Sequence, residues 1–110
     1  MQCRVRGCSR SHPATRPMCD RCWKTLPPRL QHRLEAAIHD VNEAAAEEKK
    51  AWRSDEQIQA HVALALRHAR DVMSTVLEVA WFTRHGTWPP VELCKRAHLT
   101  AADQPVLEAA

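Results

Sequence analysis

The chain has 110 residues and a formal charge of +3, with 45% apolar and 26% charged residues, a balance that suits one folded domain rather than a disordered chain. Two glycines, no tyrosine and one phenylalanine, against seven prolines, leave little material for hairpin turns or aromatic strands. The expected class is therefore all-α.

In chain order, residues 1–25 hold four of the five cysteines and no helical period. They read as an irregular knuckle that cannot build a core by itself. Leu26-Pro27-Pro28 then opens the helical region, 26–110, because proline is tolerated in a first turn whose amides have no intrahelical partner. Leu30, Leu34, Ala37, Ile38, Val41, Ala45 and Trp52 recur at three- and four-residue steps and predict one amphipathic helix to about Arg53. Ser54-Asp55-Glu56-Gln57 has the form of a capping box opening a second helix. Its stripe runs through Ile58, Val62, Ala65, Leu66, Ala69, Val72, Met73, Val76, Val79 and Ala80, to a stop at Gly86. At ~1.5 Å per residue such a helix is about 45 Å long, so it must kink, protrude or pair with something. The short break predicts an antiparallel hairpin with its stripes facing each other. Val91–His98 reads as a short third helix, and Thr100 as the cap of a last turn over Ala101–Gln104.

The cysteines carry the chemistry. Cys3-x4-Cys8-x10-Cys19-x2-Cys22 supplies two close pairs, each able to bend the backbone around one side of a tetrahedron, and Zn2+ is the expected cofactor. Cys8-x3-His12 is also a permitted spacing, so a set of Cys8, His12, Cys19 and Cys22 with Cys3 left out stays open. Neither ferredoxin spacing is present, and Cys19-Asp20-Arg21-Cys22 lacks the βαβ context of a redox motif. Four thiolates close the shell of a metal, and the chain has no His-Glu-x-x-His, nucleophile elbow or glycine-rich phosphate loop. A non-enzymatic protein is expected.

Charge is uneven. Residues 1–33 carry eight Lys and Arg against Asp20 alone, a balance of +7, so the rest carries −4. Arg4, Arg6, Arg10, Arg16, Arg21 and Lys24 surround the cysteines and are the candidate contacts to nucleic-acid phosphates or to an acidic protein partner. The opening residues lack an apolar leader segment, and no run suits a membrane span. Five cysteines, an odd number, point to a reducing cytoplasm.

Other residues have plainer readings. Trp23 is expected to pack the knuckle against Leu26 and Leu30. Trp52, Trp81 and Trp88 read as helix-end packing, and His61 and His68 as a polar helix face. Cys94 reads as a small buried apolar residue. The stretch Leu93–Thr100 has the outline of the first helix and turn of a helix-turn-helix, with His98 where a glycine is usual.

The run Cys3-Arg4-Val5-Arg6-Gly7-Cys8, followed by Met18-Cys19-Asp20-Arg21-Cys22-Trp23-Lys24-Thr25-Leu26-Pro27-Pro28, resembles small zinc-binding proteins of bacteriophages and prophages over about the first 34 residues. The resemblance implies a Cys-rich knuckle capping a helix and, if the gene is phage-borne, a place in the host cytoplasm. It brings no biochemical function with it. Two functions are carried forward: a regulator or inhibitor making protein contacts with a host factor, with a homodimer through the long helices as one way to cover the overlong stripe, and a nucleic-acid binder using the basic knuckle.

Overall fold

The computed structural model describes residues 2–12, 18–50 and 56–104, the side chains of 48–50 excepted. Arg16, Trp52, Ser54, Asp55 and Pro105 lie outside the described residues. Among the described residues four helices follow one another, α1 (Asp20–Thr25), α2 (Pro28–Lys50), α3 (Glu56–Thr83) and α4 (Val91–Ala97), with a 3-10 turn after them at Ala101–Asp103. The fold is all-α. Among the described residues there is no strand, and one antiparallel bridge joins Gln2 to Ser11. No described helix is long and apolar enough to cross a membrane.

Each long helix begins and ends for a local reason. Pro28 occupies the first helical position of α2, and the amides of Leu30 and Gln31 both donate to the Pro27 carbonyl. The end of α3 is a complete Schellman closure: Gly86 takes φ +75°, its amide donates to Thr83 O, and the Thr87 amide reaches back to Phe82 O. The same closure ends α4 on a non-glycine residue. His98 sits at φ 58°, its amide donates to Lys95 O, and the Leu99 amide donates to Cys94 O at 2.9 Å. The three-residue turn that follows is too short to serve as a recognition helix. Its cap joins Thr100 to Asp103, whose carboxylate accepts from both the amide and the hydroxyl of Thr100.

The two long helices pack against each other as an antiparallel hairpin, with the Thr25 hydroxyl just before α2 lying 3.0 Å from the Thr83 hydroxyl at the end of α3. One continuous core runs from the knuckle through Leu26, Leu30, Leu34 and Ala37 to Val72, Val76, Val79 and Ala80, then to Leu93 and Leu99 on the C-terminal segment. Trp23, Trp81 and Trp88 pack against its edge.

Four details differ from the sequence reading. The first is α1, six helical residues inside the segment expected to be irregular; so short an element displays less than two turns of period. The second is on α2, where Ala44 is buried and Ala45 only half-buried, since the seam follows Leu30, Ala37 and Ala44 at seven-residue spacing. The third is on α3: the stripe is fully buried only from Val72 onward, and Leu66 is 39% exposed. The fourth is Cys94, which is half-buried at the core edge, where its thiol lies 3.4 Å from Pro89 O.

The third difference follows from shape. The extents are 61 × 29 × 18 Å and the radius of gyration is 16.3 Å, against about 13 Å for a compact chain of this length. Of the three ways to place an overlong helix, this chain lets the hairpin project beyond the core.

Candidate metal centre

Three backbone devices bring the cysteines together. Val5 to Cys8 form a tight turn closed by the Cys8 amide on Val5 O at 3.0 Å, with Gly7 at φ +80° in its third position. A positive φ there is the type II pattern, which favours glycine. The Cys3 amide donates to Arg10 O, closing the loop that carries the first pair. Cys19 precedes α1 and Cys22 lies within its first turn, so one helical turn sets the second pair on one side. Val5 and Met18 are buried beneath the two halves and join the knuckle to the core.

The outcome is a cluster of four sulfurs from Cys3, Cys8, Cys19 and Cys22, all within 4.8 Å of one another and all on buried residues. Cys3 Sγ is 3.8 Å from Cys22 Sγ, and Cys8 Sγ is 3.8 Å from Cys19 Sγ. No disulfide is formed. The Cys19 amide donates to Cys3 Sγ at 3.3 Å, support of the kind a thiolate ligand receives. The ring of His12 is not among the grouped ligand atoms, so the geometry gathers Cys3 rather than His12. Such a set could hold one metal ion; separations this short leave no room for a multi-iron cluster among the sulfurs.

No protein-family model, curated protein or solved structure matches the chain. The reading of the site therefore rests on its own geometry.

Electrostatics make the cluster a poor place for free thiols. Burial pushes the Cys3 and Cys22 thiols up, disfavouring their charged forms. Burial acts the same way on Cys19, yet the Cys22 amide and the neighbouring thiols outweigh it and bring that group down to about 7. A divalent cation, if bound, would resolve the conflict by holding all four as thiolates. Four thiolates on such a cation would keep two negative charges, and a guanidinium lies beside the turn that carries Cys8. Arg84 Nη1 is buried without a hydrogen-bond partner, 3.9 Å from where a Cβ on Gly7 would stand.

Of the described basic residues named from the sequence, Arg4 and Arg6 border one hollow and Lys24 another. Arg4, Arg6, Arg10, Arg21 and Lys24 are all exposed. Arg6 places its guanidinium 4.8 Å from the Trp81 ring centre, and both Arg4 and Arg6 line a groove along α3. Lys24 lines a separate hollow with Pro27, Pro28 and Asp103. Sequence reasoning missed the α3 side of this arrangement, where Arg70 borders the same groove as Arg4. The only available signal was an arginine beside an apolar stripe.

Proposed function

We propose that this chain is a non-enzymatic binding protein whose helical hairpin is held in place by one structural zinc ion on Cys3, Cys8, Cys19 and Cys22. The observation that carries the reading is the buried four-sulfur cluster merged with the helical core. Zn–S bonds near 2.3 Å in a tetrahedron imply sulfur separations of about 3.8 Å, and two of the pairs stand at 3.8 Å. Four sulfur ligands saturate zinc and leave no position for a reacting water, which supports a structural role.

The working surface is then the hairpin, acting on another protein in the reducing cytoplasm. The apolar side chains left open on the projecting part of α3, Leu64 at 61% and Leu66 at 39% exposed, support a regulator or inhibitor making protein contacts, with a host factor as its target if the gene is phage-borne. A nucleic-acid reading draws on the exposure of Arg4, Arg6, Arg10, Arg21 and Lys24, and it requires an affinity that falls steeply with salt.

The deciding experiment is capture by the tagged full-length chain from a lysate of its host cell, with and without nuclease, and with and without prior removal of metal. The proposal expects capture that survives nuclease and is lost on metal removal. Capture that disappears with nuclease sinks the protein-contact reading in favour of nucleic acid.

A further inference from the structure

Two open hollows of about 460 and 360 Å3 lie along α3 and share Arg4 and Leu77, forming one groove from Leu66, part-way along the hairpin, to Phe82 beside the knuckle. Ile38 and Val41 of α2 and Leu66, Met73 and Leu77 of α3 give it an aliphatic floor, and Phe82 closes the knuckle end. From Leu66 to Phe82 the groove follows α3 for about 24 Å at ~1.5 Å per residue. Its rim is cationic. Arg4, Arg6 and Arg70 are exposed along it, while Glu78, the one acid among its lining residues, is already paired with Arg96.

We propose that this groove receives an acidic amphipathic helix of a partner protein, its apolar face on the floor and its carboxylates opposite Arg4, Arg6 and Arg70. The inference rests on the protein-contact reading above and names its surface and partner chemistry. Length, apolar floor and charged rim together are what helix-in-groove recognition requires. A nucleic-acid strand fits less well, because the floor is aliphatic and the Trp81 ring already has Arg6 over it and Phe82 edge-on at 4.8 Å between ring centres. A second copy of this chain also fits less well. Its exposed acids are divided between α2, with Asp40, Glu43 and Glu47, and α3, with Glu56 and Asp71, and the apolar stripes of these two helices are packed on each other.

The test uses the full-length, zinc-loaded chain and a fluorescein-labelled helical peptide of about 17 residues, with leucines along one face and glutamates flanking them. A matched peptide carries lysine in place of glutamate. The expected result is saturable binding of the glutamate peptide, at least tenfold weaker binding of the lysine peptide, and amide NMR shifts confined to the groove. Arg70→Glu should weaken the glutamate peptide at least fivefold without moving the melting temperature, and Leu66→Glu should do the same.

Equal affinity for the two peptides, no binding, or shifts mapping elsewhere would overturn the proposal. So would displacement of the peptide by oligodeoxythymidylate at the same residues, or concentration-dependent self-association that protects Leu66. Nuclease-resistant capture from lysate together with a groove indifferent to the peptides would defeat this inference alone. Peptide binding in the groove with no nuclease-resistant capture would defeat only the broader reading.

Discussion

Two leucines that look alike in the sequence should behave differently when truncated, because the hairpin projects. Leu30 is 0% exposed where α2, α3 and the knuckle meet, whereas Leu66 is 39% exposed on the groove floor. Leu30→Ala leaves a void that close-packed neighbours cannot fill, and such changes destabilise by about 2–5 kcal/mol. Taking about 3 kcal/mol, and about 4 °C per kcal/mol for a chain of this size, the melting temperature should fall by about 12 °C. Leu66→Ala opens no cavity, since solvent already reaches the site, and alanine is at least as good a helix former. Its loss is the transfer energy of a partly covered side chain, under about 1 kcal/mol, or less than about 4 °C. Thermal melts of both zinc-saturated variants by far-ultraviolet circular dichroism, with urea titrations at one temperature, measure the difference. Equal shifts would refute the reasoning, because they would mean that the groove is filled in the free protein and that the hairpin does not project as described.

Backbone conformation gives a pair of opposite expectations. His98→Gly should raise stability by about 1 kcal/mol, since His98 holds a left-handed conformation at φ 58° that glycine adopts without strain. Gly7→Ala should lower it by about 1–2 kcal/mol and weaken metal retention; the nearest atom to the new Cβ is 3.9 Å away, so the loss is conformational rather than steric. Burial raises the Cys94 thiol above its ordinary value of 9.0, so its contribution to stability is present below that pH and lost as pH rises through the folded-state value. The zinc-loaded protein should therefore lose melting temperature above about pH 9, and Cys94→Ala should lose less, in paired melts from pH 7 to 10. The Arg96–Glu78 pair joins two side chains that are 59% and 47% exposed, so Glu78→Gln should move stability by less than about 1 kcal/mol in the same assay.

What the sequence made legible was what repeats locally. The steps of Leu30, Leu34 and Ala37 announce α2, Pro28 and Gly86 mark where helices start and stop, and Thr100 with Asp103 spells a cap. The spacing of Cys3, Cys8, Cys19 and Cys22 named the four residues whose sulfurs now lie together. Depth along a stripe was not legible. Leu66 and Val72 have the same period, and only the end of the core, a tertiary fact, decides which of them is covered. The stacking of Arg6 on Trp81 and the placing of the buried Arg84 Nη1 beside Gly7 join residues more than seventy positions apart, and no local pattern signals either contact. Helix α1 escaped because Cys22 within it and Cys19 just before it follow ligand spacing rather than an apolar period.

Native mass spectrometry of the freshly purified chain, paired with elemental analysis, asks directly whether one metal ion organises the amino-terminal sulfurs. The account predicts one zinc per chain, a mass short of the protons displaced from the thiols, and a large drop in melting temperature when a strong chelator removes the ion. A metal-free chain that melts at the same temperature before and after chelation would contradict it.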